Sequence, residues 1–261
     1  MKKTIVSTLA VASMFCLGTE LAAVPENPVN TMFENDIIFS LNFNDGTLNA
    51  DMANGKGEPA KVKKPAKFIE KGLFGKGLAD GWINYDAKQN IDLTVPGTLI
   101  YWVAPTWDSK KPANGKEPGF TALQIRGKSK EYNYTMISGK MHGQPWGHGH
   151  FNTYVQYPGA KIKHVNCENM NVARAGIWKN GQWKMKAITW NGGKFAVSVN
   201  GSPSKSSTLK KMMIGETVYM ELGIGGGKQI MIDEVTVLNR ALSDVEIKKL
   251  YDATIKALGT K

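Results

Sequence analysis

The side chains best suited to chemistry lie together near the middle of this 261-residue sequence. His148 and His150 are two positions apart, so in an extended strand they share a face, as a pair of transition-metal ligands does. Trp146 precedes them and Tyr154 follows them, and aromatic rings stack on sugar rings. We predict ligand contact at all four residues, with sugar favoured over metal because no third metal ligand lies nearby. The alternative is a glycine-rich loop with solvated histidines.

Carboxylates at catalytic spacing are absent from the sequence. Retaining glycoside hydrolysis needs two carboxyl groups about 5 Å apart. Glu221 stands alone in its predicted strand, and Asp233 and Glu234 are neighbours, which directs them to opposite faces of an extended strand. We therefore assign no catalytic residue.

Basic residues outnumber acidic ones, and the formal net charge is +11. This charge favours acidic partners such as anionic glycans, anionic lipid or nucleic acid, and lysines that only confer solubility are the alternative. No nucleic-acid-reading motif accompanies the lysines, so we expect no nucleic-acid partner. The glycine-rich segment 223–228 lacks Ser or Thr after its lysine, which excludes a phosphate-binding P-loop. The densest basic tract comprises Lys56, Lys61, Lys63, Lys64, Lys67, Lys71 and Lys76.

The N-terminus has the pattern of a secretory signal peptide. Lys2 and Lys3 precede an apolar run, and Leu21-Ala22-Ala23 offers small residues for cleavage, so we predict a signal peptide over 1–23 and a secreted protein. We expect no transmembrane segment, because no later stretch is long and apolar enough. Cys167 is then the only cysteine, so the fold must be held by burial or by a bound ion rather than by an intrachain disulfide.

Local patterns predict strands through most of the chain and one helix at its end. Ser243 and Glu246 form an S-x-x-E capping box, and apolar residues recur at helical spacing from Ile247 onward. Two alternating segments flank Asn191-Gly192, the strongest short-range signal for a β-hairpin. No helical period appears before Ser243. Further strands are expected at 36–43, 91–105, 120–125, 132–137, 151–157, 218–224 and 229–237.

Two blocks closely resemble the laminin-G-like (concanavalin A-like) jelly-roll family. The hairpin over 181–201 is similar to that family's G-x-W-x-x-V-x-x-x-D-G and L-x-V-D-G segments, and 232–251 is similar to its closing I-D-E-V-x-I-x-N-R-A-L-S and helix. The resemblance implies a sandwich whose concave sheet presents a surface to sugars. The E-x-D-x-x-E triplet of the superfamily's hydrolases is missing. Gln124-Ile125-Arg126 and the segment 154–157 are weakly similar to strands of related lyases.

The same resemblance implies a structural calcium ion. In this family the acidic residue of the last strand often helps to hold Ca²⁺ near the first strand, and Asp233 occupies that position. Asn42, Asn44 and Asp45 would add oxygen ligands, which calcium prefers. The alternative is that Asp233 accepts hydrogen bonds from the backbone and fixes the C-terminal segment.

The sequence therefore predicts an all-β fold, an antiparallel two-sheet jelly-roll β-sandwich with a short C-terminal helix. The domain is expected over 36–261, after a linker over 24–35. The expected function is non-catalytic binding of a polysaccharide or other glycan, neutral or anionic, at the cell exterior. The alternatives are a polysaccharide-degrading lyase or hydrolase of the same superfamily and a structural or adhesive surface protein.

Overall fold

A computed structural model describes residues 25–108, 120–128, 133–141, 152–156, 165–168, 179–208, 216–224 and 230–259. Two α-helices lie within these residues, α1 (Pro28–Met32) and α2 (Asp244–Gly259), and a 3₁₀ turn spans Glu34–Asp36. The strands of the described residues are β1 (Ile37–Leu41), β2 (Met52–Ala53), β3 (Lys61–Ile69), β4 (Gly77–Asp86), β5 (Gly97–Pro105), β6 (Phe120–Lys128), β7 (Asn133–Met141), β8 (Asn152–Gln156), β9 (Val165–Glu168), β10 (Lys184–Asn191), β11 (Lys194–Val199), β12 (Lys205–Thr208), β13 (Glu216–Ile224) and β14 (Ile230–Leu238).

Antiparallel pairing arranges these strands in two layers. The described strands form one hydrogen-bonded network with the order β12-β11-β10-β5-β14-β4-β13-β6-β7-β8-β9, in which β1 pairs with β14 and β2, and β3 pairs with β4. We divide this network into a first sheet, β12-β11-β10-β5-β14-β1-β2, and a second sheet, β3-β4-β13-β6-β7-β8-β9. The layers are joined where Ile232 of β14 pairs with Leu78 of β4. Beyond that point the same edge of β14 pairs with β1 instead, so β4 and β1 separate into different layers. The predicted all-β antiparallel sandwich with a C-terminal helix is confirmed.

The main hydrophobic core fills the space between the two sheets. Side chains of a strand alternate between its faces, so every second residue of each sheet points into this space. Leu99, Tyr101 and Val103 of β5 pack there against residues of the second sheet such as Ile83 and Ile125. All nine residues of β5 are buried, which means that its other face is also covered.

The C-terminal helix provides that cover. Ile247 and Leu250 of α2 join Ile100 and Trp102 of β5 in a second apolar cluster on the outer face of the first sheet. The rings of Trp102 and Tyr251 stack there with centroids 6.0 Å apart. The predicted capping box is present at the start of the helix. Neither α1 nor α2, the helices of the described residues, is long and apolar enough to cross a membrane.

Most of the segment that the sequence indicated as a linker is packed onto the domain. Val29 and Phe33 are 2% and 5% exposed and belong to the same apolar cluster as α2. The Asn27 side chain caps α1 by accepting a hydrogen bond from Val29 N. The prediction of a linker over 24–35 is therefore wrong from Asn27 onward, as is the absence of helix before Ser243. A five-residue helix is too short to show a hydrophobic period in sequence.

The β10–β11 hairpin forms as predicted, with its turn one residue later. Asn191 pairs with Lys194, so the two loop residues are Gly192 and Gly193. Their φ angles are 56° and 83°. A type I′ turn requires positive φ at both central positions, and glycine adopts it without steric cost.

Candidate functional site

The site residues predicted from sequence are only partly within the described structure. Trp146, His148 and His150 lie outside the described residues, as does the predicted signal peptide over 1–23. Tyr154 lies in β8, in the second sheet. None of the described helices covers the outer face of the second sheet, so that face is the candidate surface for a ligand.

The outer face of the second sheet carries an exposed tryptophan. Ile83 and Tyr85 of β4 point into the inter-sheet core, so alternate residues of the same strand point outward. The outward residues are Asp80, Trp82 and Asn84, and Trp82 is 37% exposed. On the β13 side Trp82 pairs with Gly223, which has no side chain to cover the indole. A flat apolar surface therefore lies open to solvent at this point.

An unsatisfied hydrogen-bond acceptor lies beside this indole. Asn84 is 9% exposed, and its Oδ1 atom is buried without a hydrogen-bond partner in the structure. A buried polar atom without a partner costs roughly 1–3 kcal/mol. Trp82 and Asn84 are two residues apart on one face, so a ligand hydroxyl lying against the indole edge could donate to this oxygen.

Lysines of β3 border the same surface because the strand contains a β-bulge. Val62 pairs with Ile83 and Lys64 pairs with Trp82, so Lys63 is an extra residue opposite a single step of β4. The bulge brings two consecutive lysines to one face, where a regular strand would alternate them. Lys63 Nζ lies 5.0 Å from the centroid of the Trp82 ring.

The neighbouring lysine is neutralised by an acidic partner. Lys64 Nζ donates to Asp80 Oδ1 at 2.6 Å. This hydrogen bond lowers the pKa of Asp80 below its ordinary value, and the charge of Lys67 acts in the same direction. The Lys64–Asp80 pair therefore links β3 to β4 on the outer face.

A continuous cross-strand row connects this surface to the predicted residue Tyr154. Asn84 pairs with Lys61 on one side and Glu221 on the other. Glu221 pairs in turn with Gln124 of β6, which is 8% exposed. The row then continues through Ile137 of β7 to Tyr154 of β8. The register therefore places Tyr154 and the Trp82 region in one sheet, whereas the sequence connected Tyr154 with the histidine segment and with the lyase-like segment 124–126.

Asp233 lies on the opposite layer and organises a loop. It is 0% exposed, and its Oδ2 accepts from Leu73 N at 2.7 Å while its Oδ1 accepts from Glu234 N at 2.9 Å. Gly72 is required beside it, because a Cβ atom there would lie 2.5 Å from Asp233 Oδ2 and 2.7 Å from the Lys76 carbonyl. The carboxylate thus fixes the connection between β3 and β4 to the last strand.

The prediction that Asp233 and Glu234 point to opposite faces assumed a regular strand, and β14 is not regular at this point. The pairing of β14 with β5 shifts between Asp233 and Thr236, and Glu234 has a φ of 54°. This bulge leaves Glu234 4% exposed, where its carboxylate accepts a hydrogen bond from Asn27 Nδ2. Burial raises the pKa of Asp233 to about 7 and that of Glu234 to about 8. The neighbouring charge of Asp233 also contributes to the raised pKa of Glu234, and the charge of Asp51 makes a smaller contribution to both raised pKa values.

The predicted calcium ligands are engaged in other contacts. Asn44 Oδ1 accepts from Lys76 N at 3.1 Å, and Asp45 accepts from the Thr47 amide and hydroxyl at 2.8 and 2.9 Å. No group of three or more His, Cys, Asp or Glu side chains in the described ranges is arranged to hold a metal ion. The surroundings of Asp233 match the hydrogen-bonding alternative, and calcium binding stays a prediction.

No protein-family model and no curated protein sequence matches this chain. Solved structures do match its fold. The binding domain of Paraclostridial Mosquitocidal Protein 1 superposes with a TM-score of 0.60 at 14% identity, over 84% of this chain and 52% of that one. The binding domain of Botulinum Neurotoxin DC in complex with SialylT has a TM-score of 0.54 at 17% identity, over 84% and 52%. This chain spans about half the length of those two domains.

A match of nearly full length is domain 4 of AbnA, a GH43 extracellular arabinanase from Geobacillus stearothermophilus, in complex with arabinotriose. Its TM-score is 0.56 at 15% identity, over 83% of this chain and 99% of that one. At identities of 14–17%, these three superpositions show a shared fold.

Proposed function

We propose that this domain binds glycan chains without cleaving them, on the outer face of its second sheet. The observation that carries the proposal is Trp82, an exposed indole beside the buried, unpartnered amide oxygen of Asn84. The faces of sugar rings carry C–H groups that pack on an aromatic ring, while their equatorial hydroxyls donate hydrogen bonds at its edge. Trp82 and Asn84 supply one partner for each of these two kinds of contact.

The fold supports the same class of ligand. The arabinanase domain that matches over nearly its whole length is in complex with arabinotriose. In sandwiches of this kind, one sheet face without a covering helix provides an extended surface for a chain of sugars. We place this binding at the cell exterior, in keeping with the signal peptide predicted over 1–23.

The experiment compares binding of the mature protein and its variants to a panel of soluble polysaccharides by affinity gel electrophoresis. Trp82→Ala should weaken binding about tenfold, because a sugar covering roughly 60 Å² of the indole contributes about 1.5 kcal/mol. Trp82→Phe keeps an aromatic face and should retain most of the affinity. Val245→Ala is the matched control, since Val245 is an apolar residue of α2, 63% exposed, on the other layer.

The pattern across the variants decides the result. Loss in Trp82→Ala with retention in Trp82→Phe and Val245→Ala supports the proposal, provided that all variants melt as the wild type does. Equal retardation of the wild type and Trp82→Ala by every polysaccharide bound would overturn the assignment of the site.

The register also favours a polysaccharide lyase as a second candidate function. The two segments that are weakly similar to lyase strands contribute Gln124 and Tyr154 to one row of the second sheet, across β7. Two strand spacings separate them, about 10 Å. A polyuronate incubated with the wild type should then acquire unsaturated chain ends. An unchanged chain length would leave binding alone as the function.

A further inference from the structure

We propose that Asn191, at the turn of the β10–β11 hairpin, is a modification site that converts without an enzyme to aspartate and isoaspartate, ahead of the other described Asn-Gly pairs. The site lies in the first sheet and is independent of the proposed glycan-binding face. Asn-Gly occurs at residues 54, 114, 180, 191 and 200, and residue 114 lies outside the described residues. Because glycine follows asparagine in every case, the structure has to rank them.

The reaction is an attack by the backbone on the side chain. The amide nitrogen of the following glycine gives up its proton to solvent and bonds to Cγ of the asparagine. The Cγ–Nδ2 bond breaks, and ammonia leaves with a proton from water. Water then opens the resulting succinimide ring at either carbonyl, which gives aspartate or isoaspartate. Glycine favours the attack because no Cβ atom hinders its nitrogen. The reaction therefore needs a glycine amide that is open to solvent and an asparagine side chain that can rotate.

Both requirements are met at Asn191. Asn191 pairs with Lys194 and closes the hairpin ladder, so the amide of Gly192 lies beyond the last pair. Asn191 and Gly192 are exposed, and a Cβ atom placed on Gly192 would meet nothing within 4 Å. Neither residue makes a further hydrogen bond to the part of the chain that the structure describes. Rotation of Asn191 toward the reactive geometry therefore disturbs only the terminal pair of the ladder.

Asn180 is the best comparator, because Asn180 and Gly181 are also exposed and lie in a turn. Here, however, Gly181 N donates to the Pro105 carbonyl at 2.9 Å, and Asn180 N donates to Asp108 Oδ1 at 2.8 Å. The nitrogen that has to attack is already bound to an acceptor. Losing one such hydrogen bond slows the reaction about two- to tenfold, since its net worth is about 0.5–1.5 kcal/mol.

The remaining two described pairs are held by side-chain hydrogen bonds. The glycine after Asn54 donates its amide to Asn90 Oδ1 at 2.8 Å. The side chain of Asn200 is itself bound, because its Oδ1 accepts from Met185 N at 3.0 Å. The glycine after Asn200 also packs against α2. Asn191 is therefore expected to react first.

The test follows the four described pairs in one sample. The protein is incubated at mildly alkaline pH in water enriched in oxygen-18, either folded or unfolded in guanidinium chloride. It is then digested at acid pH, and each peptide is analysed by mass spectrometry. Ring opening incorporates oxygen from the solvent, and isoaspartate marks passage through the ring. Asp108→Ala is the matched variant, because it removes a hydrogen bond at Asn180 and makes no change in the hairpin.

In the folded protein Asn191 should convert about two- to tenfold faster than Asn180, and it should also precede Asn54 and Asn200. In guanidinium chloride the four sites should convert at similar rates, since each is followed by glycine. Asp108→Ala should speed the conversion of Asn180 and leave that of Asn191 unchanged.

Four other outcomes overturn the assignment or its reasoning. Conversion of Asn180 at least as fast as that of Asn191 in the folded protein removes the assignment. The same ranking in guanidinium chloride would show that the local sequence, and not the fold, sets the rates. An unchanged rate at Asn180 in Asp108→Ala would show that hydrogen bonds of that turn do not control the reaction. Aspartate without isoaspartate at Asn191 would exclude attack by the Gly192 amide.

Discussion

The buried pair Asp233 and Glu234 should make the domain less stable as the pH rises toward 8. Burial raises the pKa of Asp233 to about 7 from 3.8 and that of Glu234 to about 8 from 4.5. Between roughly pH 4.5 and 8 the native state therefore holds protons that the unfolded chain has released. Stability falls with pH wherever the native state binds more protons, so the stabilisation present at low pH is lost through this window.

The magnitude follows from the number of excess protons. Each excess proton in the native state costs about 1.4 kcal/mol of unfolding free energy per pH unit. From pH 5.5 to 7.5 Glu234 alone would then account for at most about 3 kcal/mol. Glu234→Gln removes that titration and keeps an acceptor for Asn27, so the stability of the variant relative to the wild type should increase between pH 5.5 and 7.5.

The assay is urea unfolding followed by tryptophan fluorescence at pH 5.5, 6.5, 7.5 and 8.5, with EDTA present to remove bound cations. Groups other than Glu234 are common to both proteins, so their contributions cancel in the difference. Parallel pH profiles for the wild type and Glu234→Gln would refute the argument. So would a wild-type stability that rises with pH across this range.

Two further results are expected from the same preparations. Leu250→Ala should cost about 2–5 kcal/mol, because Leu250 is 2% exposed between α2 and the first sheet, while Val245→Ala should change the melting temperature little. An unchanged melt for Leu250→Ala would show that α2 is only loosely attached. Calcium should raise the melting temperature more at pH 8 than at pH 5.5 if Asp233 is a ligand, since a cation binds the ionised carboxylate. Asp233→Asn should abolish that gain, and no gain in the wild type would exclude the site.

Sequence spacing predicted the elements whose geometry is decided locally. The capping box of Ser243 and Glu246 formed because its hydrogen bonds join residues three apart. The β10–β11 hairpin formed because glycines supply the positive φ angles of its turn. Such features require no knowledge of what the rest of the chain does.

The outer-face site escaped prediction because it depends on pairing between distant strands. Four lysines and Pro65 within β3 favour a solvated loop when they are read in sequence. The strand exists because it pairs with β4, and the extra residue Lys63 appears only in that register. A usable signal was present in β4, where Asp80, Trp82 and Asn84 alternate with Gly81, Ile83 and Tyr85. A large aromatic on the polar side of such a strand indicates an exposed ring.

The same dependence on register explains the error at Asp233 and Glu234. Alternation assumes one residue per step, and the bulge in β14 breaks that assumption at Glu234. The result is a buried acidic pair, an arrangement that costs stability unless protons, hydrogen bonds or a cation compensate it. Asn27 supplies one such hydrogen bond from the segment that the sequence indicated as a linker. The prediction of a linker at Asn27 and the prediction of a regular strand at Glu234 therefore failed at the same contact, which joins two segments far apart in sequence.

The asymmetry of the two sheets is the strongest argument for where a ligand binds. The outer face of the first sheet is covered by α1 and α2, and its side chains there are apolar. The described outer face of the second sheet carries polar residues around one indole and an amide oxygen that lacks a donor. An exposed tryptophan alone is ordinary, because apolar atoms form much of any protein surface. The buried oxygen is different, since its cost of roughly 1–3 kcal/mol is recovered only when a donor reaches it. A sugar hydroxyl held by stacking on Trp82 would be such a donor.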